Sequence, residues 1–106
     1  MKLLVRFRHV DPTPVLKLLI PRRIQFALAR FAHAIEAVHV TLADVNGPRG
    51  GVDKTCRVRV VGAPVGSFVV EASAADARTA LDEAAARAGH TLARALQRRR
   101  VLMTPA

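Results

Sequence analysis

The chain predicts an α+β fold of order β-α-β-β-β-α, a four-stranded mixed sheet with two helices packed on one face. Four short stretches alternate apolar and polar residues with the period of a strand, and two longer ones repeat apolar residues every three or four positions. The longer stretches fall after the first strand and after the last. A helix between the first two strands makes them parallel neighbours joined by a right-handed crossover, and the last three strands form an antiparallel meander.

The first strand covers Leu3 to Arg8, where Leu3, Val5 and Phe7 alternate with Leu4, Arg6 and Arg8. It ends at His9-Val10-Asp11-Pro12. Leu16, Ile20, Ile24, Ala27, Leu28, Phe31 and Ile35 then recur with helical spacing, interrupted by Pro21. Proline removes a backbone donor and clashes with the preceding turn, and a straight continuation would turn Lys17 toward the core. A regular helix is therefore expected from about Pro21 to Ala34, preceded by a short or bent helical turn. Val38, Val40 and Leu42 mark the second strand and Cys56, Val58 and Val60 the third, with Arg57 and Arg59 outward. The turn Gly62-Ala63-Pro64-Val65-Gly66 leads to a fourth strand over Phe68 to Ala72. Ser73 is read as the N-cap of the last helix, with Asp76 three residues on. That helix runs to about Arg99 on an inward stripe of Ala77, Leu81, Ala84, Ala88, Leu92 and Ala95, small enough for close packing. Residues 1–100 are expected to form a single domain and residues 101–106 a short flexible tail.

Charge is the most informative total. Seventeen Lys and Arg against eight Asp and Glu give a net charge of +9 in 106 residues, and arginine dominates the cations. The guanidinium fork grips phosphate bidentately and stacks on bases, so the bias points to nucleic acid as the partner. A solvated basic surface is the alternative, and clustering on one face separates the two. No apolar run approaches the ~20 residues needed to cross a bilayer, and Met1 to Arg8 is charged too often for a signal peptide. The expected location is the cytoplasm, with no membrane partner. The single cysteine, Cys56, excludes an internal disulfide and a multi-cysteine metal site.

The segment Asp44-Val45-Asn46-Gly47-Pro48-Arg49-Gly50-Gly51-Val52-Asp53-Lys54-Thr55-Cys56 has the glycine content of a phosphate loop. A P-loop, however, places its lysine directly after the second glycine and at the start of a helix. Here Val52 and Asp53 intervene and a strand follows. The segment is read as a strand connection, with Arg49 as an extra phosphate contact.

Helical spacing gathers the arginines. In the last helix Arg87, Arg94 and Arg98 fall within about 40° of one another at 100° per residue, and Arg99 extends the ridge. The helix dipole favours cations in the last turn but does not account for Arg87. In the first helix Arg22, Phe26 and Arg30 are spaced by four beside Arg23 and His33. An outward phenylalanine between arginines serves either to stack on a base or to pack against a neighbouring loop or a partner chain. With the helices side by side, the two ridges are expected to form one basic surface with a groove between them, contacting backbone and shape more than base edges. Arg6, Arg8, His39, Arg57 and Arg59 occupy the other sheet face, read as the solvated side.

Catalysis has little support. The histidines form no H-x-x-x-H or similar metal pair, and no serine or cysteine sits in a nucleophile motif. Asp82 and Glu83 are adjacent on a helix and diverge by about 100°, too far to work as a carboxylate couple; ion pairing with Arg78, Arg87 or a partner's cations is expected instead. The chain is expected to be no enzyme and to need no cofactor, metal or small-molecule substrate.

The run RRIQFALARFAHAI from Arg22, the segment VHVTLADVNGPRGG from Val38 and the D-K-x-C at Asp53 to Cys56 resemble the family of ribosome hibernation-promoting factors and ribosome-associated inhibitors, also called the sigma-factor modulation family. The likeness spans roughly Leu3 to Arg100. It implies the same β-α-β-β-β-α order, binding to the small ribosomal subunit in the channel of messenger and transfer RNA, and silencing of ribosomes under stress. The family's basic helix positions correspond to Arg22, Arg23, Arg30, Arg78, Arg87, Arg94 and Arg98. Pro21 departs from the usual continuous helix, and the chain stops soon after the second helix, resembling a short form. A transcription-associated interaction module and a general RNA-binding protein are the alternatives. Self-association is not part of the expectation.

Overall fold

A computed structural model describes residues 1–45, 53–62 and 66–103, with side chains as far as Arg98. The elements are β1 (Lys2–Arg8), α1 (Pro14–Leu28) continued by a 3-10 segment over Ala29–Ala34, β2 (Ala37–Asp44), β3 (Lys54–Gly62), β4 (Gly66–Ala74) and α2 (Ala77–Met103). The sheet order is β1-β2-β3-β4. β1 runs parallel to β2 with Val5 opposite Val40, and the other two pairings are antiparallel, with Val58 opposite Val40 and Val70. This is the mixed sheet the periodicity predicts. Among the described residues no helix is long and apolar enough to cross a membrane.

The first helix starts earlier than expected and does not restart at Pro21. Thr13 caps it, its Oγ1 accepting the Leu16 N–H at 3.2 Å, and Pro14 occupies the first turn, where its missing donor costs nothing. Pro21 sits inside the helix with its ring exposed. An interior proline costs roughly 3 kcal/mol, but a break there would release Leu16 and Ile20, whose burial is worth roughly 1.5–3 kcal/mol each. Leu16, Ile20, Ile24 and Leu28 all lie in the core. Lys17 is exposed, so the continuous helix does not drive it inward. After Leu28 the chain tightens into the 3-10 segment, and the regular α-helix expected to reach Ala34 ends there.

The last helix corrects a second expectation. Ser73 lies within β4, its hydroxyl 3.2 Å from that of Thr55 on β3, while Asp76 is the cap. Asp76 Oδ1 accepts the Thr79 N–H at 2.8 Å and Oδ2 accepts the Thr79 hydroxyl at 2.9 Å. Those bonds hold the Asp76 carboxyl below its ordinary pKa. The helix then continues through Met103, beyond the expected end at Arg99.

Both helices cover the sheet face formed by Val38, Val40, Leu42, Cys56, Val58 and Val60. α2 contributes Ala80, Leu81, Ala84, Ala85, Ala88 and Leu92 to the same core. The alanines bring the α2 backbone close to the sheet, and at the helix seam Gly89 lies so near α1 that a Cβ there would stand 3.1 Å from the Ala27 carbonyl oxygen. A tighter approach occurs at Gly62, where a Cβ would fall 2.1 Å from the Ala34 carbonyl oxygen. Beside it the Glu36 N–H donates to the Val61 carbonyl at 2.7 Å, which pins the 3-10 segment to the end of β3.

Two outcomes follow from this packing. Gly62→Ala should destabilise the fold by about 1–3 kcal/mol, read as a lower urea midpoint, because two backbones must separate to admit one methyl group. Burial pushes the Cys56 thiol pKa up to about 12. The folded value exceeds the unfolded one, so this contribution to stability is complete below the ordinary thiol range and is lost as pH rises from there toward the folded value. Iodoacetamide at about pH 8 should label Cys56 only after denaturant unfolds the chain; rapid labelling of the native protein would contradict its burial.

Candidate nucleic-acid interface

The α1 cations are split by the change of helix type. Arg22 is exposed on the outer side, and Arg23 is half-buried at the seam with α2. Arg23 Nε lies 3.0 Å from Asp82 Oδ1. Asp82 was expected to pair with Arg78 or Arg87 on its own helix; the seam brings Arg23 to it first. With both side chains about 40% exposed, this pair is worth roughly 0.2–1 kcal/mol. Arg30 belongs to the 3-10 segment, so the spacing-of-four line from Arg22 through Phe26 does not continue to it. It is exposed and lies with its guanidinium carbon 4.6 Å from the Phe31 ring centroid, a cation–π contact that limits its freedom.

Phe26 is 90% exposed. It lines one side of a groove between the helices together with Arg23 and Arg30 from the α1 side and Asp82, Gly89 and His90 from α2. The groove expected between the helices is present. Its cationic lining, however, comes from the α1 side. Val15 (62% exposed) and Leu18 (55% exposed) also reach the outer surface of α1, an apolar component that the inward stripe did not anticipate.

On α2, Arg87, Arg94 and Arg98 are exposed along one line, and Arg78 is exposed in the first turn. Counted at 100° per residue, that line lies roughly 140–160° around the helix from the seam positions Asp82 and Gly89. Arg87 confirms the direction, since its Nη1 donates to the Glu71 carbonyl of β4. The α2 arginines therefore flank the helical layer on the β4 side, and the exposed His90 stands between them and the groove. The side chain of Arg99 and the whole of Arg49 lie outside the described residues.

The base of the glycine-rich connection is well defined. Asp53 is fully buried, and Lys54 Nζ donates to Asp53 Oδ1 at 3.0 Å and to Asp44 Oδ2 at 3.2 Å. The two carboxylates, Asp53 first, raise the Lys54 pKa. The Val45 N–H donates to the Asp53 carbonyl at 2.9 Å. The lysine that resembled a phosphate ligand is thus engaged by two aspartates and clamps the ends of the connection together. Among the described residues no group of three His, Cys, Asp or Glu has the arrangement to hold a metal ion.

A mixed sheet with two helices on one face, its helical layer edged with exposed arginines, defines an α+β module with a cationic outer side. The chain belongs to the sigma 54 modulation protein / S30EA ribosomal protein family, whose model matches residues 3–100. Its fold is similar to that of the N-terminal domain of Protein Y from Thermus thermophilus, with a TM-score of 0.72 at 19% identity, covering 89% of this chain and 98% of that one. A ribosomal subunit interface protein from Coxiella burnetii is similar to the same degree, with a TM-score of 0.71 at 16% identity over 89% and 96% of the two chains. No curated protein matches the sequence.

The exposure of Phe26 has a direct consequence. Phe26→Ala should leave the urea midpoint unchanged within about 0.5 kcal/mol, since the ring buries almost nothing in the fold. A loss above about 1.5 kcal/mol would mean that it packs against the protein.

Proposed function

We propose that this protein is a non-enzymatic, cytoplasmic hibernation or translation-inhibiting factor that docks its helical layer on small-subunit ribosomal RNA and blocks the channel of messenger and transfer RNA. Family membership supports the ribosome as partner, and one of the two proteins of similar fold is a ribosomal subunit interface protein. The observation that carries the RNA contact is the set of exposed arginines that form no ion pair with a carboxylate among the described residues, Arg22, Arg30, Arg94 and Arg98, with Arg78 beside them partly balanced by the nearby Asp76. Cations held without internal acids are available to neutralise phosphates and release their counterions. Arg23 and Arg87 are tethered, and their part is to hold the two flanks of the surface in place. Phe26 offers its ring to a base at the mouth of the groove.

A protein partner is the second reading, that of a module acting on the transcription machinery. It is favoured by the exposed Val15 and Leu18, two to three turns from Phe26 along α1, since apolar side chains on a helix back suit another protein better than a phosphate backbone.

Co-sedimentation with intact ribosomes separates the two. The native chain should travel with the small subunit at moderate salt, and Arg94→Glu/Arg98→Glu should weaken that binding by about tenfold or more and flatten its salt dependence. These positions are chosen because Arg87 also bonds the sheet. Phe26→Ala should cost about 1–3 kcal/mol of RNA affinity with unaltered stability. A chain that stays at the top of the gradient while capturing a polymerase subunit would overturn the ribosomal assignment.

A further inference from the structure

The sheet face left open by the helices carries a charge pattern that the helical layer does not use. Five cations point outward from it, Lys2, Arg6, Arg8, Arg57 and Arg59, against one carboxylate, Glu71. Register fixes their relation. Arg6 on β1 stands opposite Thr41 on β2, which stands opposite Arg57 on β3. Arg59 faces His39 one step along β2, and Arg8 faces Ala43 one step the other way. The arginines of β1 and β3 thus form two banks, roughly 9–10 Å apart at two strand spacings, with β2 between them.

The space between the banks is concave. Arg6, Arg8, Arg57 and Arg59 wall it, His39, Thr41 and Ala43 of β2 lie on its floor, and Glu71 of β4 also lines it. The floor residues are half-buried while the four arginines are exposed. Arg57 Nε lies 3.8 Å from Glu71 Oε1, a loose pair with both side chains more than half exposed. No other carboxylate pairs with these arginines among the described residues. A sheet face that merely meets water gains nothing from four like charges gathered on two strands that flank a third, since they repel one another.

We propose that this trough is a second RNA-binding surface, one that takes a single strand laid along β2 by its phosphates. Guanidinium forks on both banks grip phosphate oxygens bidentately, and the small Thr41 and Ala43 admit a sugar-phosphate backbone. Among the described residues the one ring in the trough is the imidazole of His39, so contacts run mainly to phosphate and binding depends little on sequence. The repeated arginine pairs along one line fit a regularly charged chain better than an acidic protein surface. The face is opposite the helical layer, so the protein would bridge two RNA segments, and the inference holds whether or not the helices bind the ribosome.

The test uses the full chain and a labelled oligouridine of about ten nucleotides, followed by anisotropy at about 50–200 mM salt. The variant Arg6→Gln/Arg59→Gln removes two charges from the sheet, and Lys17→Gln, at an exposed cation outside both arginine surfaces, is the control. The sheet pair should lower affinity about tenfold and reduce the salt slope by about 1.4, while Lys17→Gln changes affinity less than about threefold. Amide shifts on titration should be largest at Thr41, Ala43 and Thr55. Unchanged affinity of the sheet variant, or shifts confined to the helices, would make the trough a solvated face and overturn the proposal. Displacement of the oligonucleotide from the trough by polyglutamate at equal charge would overturn the RNA assignment in favour of acidic protein. Arg8→Gln/Arg57→Gln repeats the test if the first sheet variant melts early. Ribosome co-sedimentation of Arg94→Glu/Arg98→Glu reads the helical docking separately.

Discussion

Two helices sharing one face of a narrow sheet is the constraint on which the rest of this molecule depends. Four strands at about 4.8 Å span roughly 14–19 Å, and helices pack with axes about 8–10 Å apart, so two fit only if they nearly touch. The chain meets this with small residues. Ala80, Ala84, Ala85 and Ala88 lay α2 on the sheet, and Gly89 lets it close on Ala27 of α1. Larger side chains at those positions would push the helices apart and expose the Val38-Val40-Leu42 row beneath them. The same closeness makes Gly62 and Ala34 neighbours at the far end of the layer.

That packing decides where charge can go. With one sheet face and both helix undersides committed to the core, the cations are sorted onto the back of the helical layer and the open sheet. At the seam Asp82 neutralises Arg23, and at the base of the glycine-rich connection Asp44 and Asp53 neutralise Lys54. Three of the eight acids, Asp44, Asp53 and Asp82, thus sit where chain segments meet, and most of the outer arginines form no ion pair among the described residues. The cationic faces and the internal ion pairs are two results of one allocation.

Strand order, pairing and the two helical stripes were legible in the sequence because each depends on the period of a single segment. The alternation at Val38-Val40-Leu42 and Cys56-Val58-Val60 and the alanine stripe of α2 translate directly into buried faces. What was not legible depends on competition between local rules. Pro21 by itself argues for a break, but Thr13 and Pro14 supply a complete helix start upstream and Leu16 and Ile20 need the first turns to stay helical. Ser73 and Asp76 are both good caps, and the pairing of Ala74 with Lys54 decides between them by extending β4 past Ser73. The grouping of Arg87, Arg94 and Arg98 was readable from spacing. The flank they occupy was not, because it is fixed by how α2 is rolled on the sheet. Phe26 was recognisable as outward, whereas its place at the mouth of a groove required the position of Gly89 and His90.

The bond from Arg87 to the Glu71 carbonyl matters beyond its place in the cationic flank. β4 is a marginal strand, and strands at a margin offer unpaired backbone groups on which another copy of the chain can add and begin a growing aggregate. A guanidinium folded over one of those acceptors blocks such growth at mid-strand. One side chain of α2 therefore acts as a guard for solubility in a protein whose net charge already keeps copies apart.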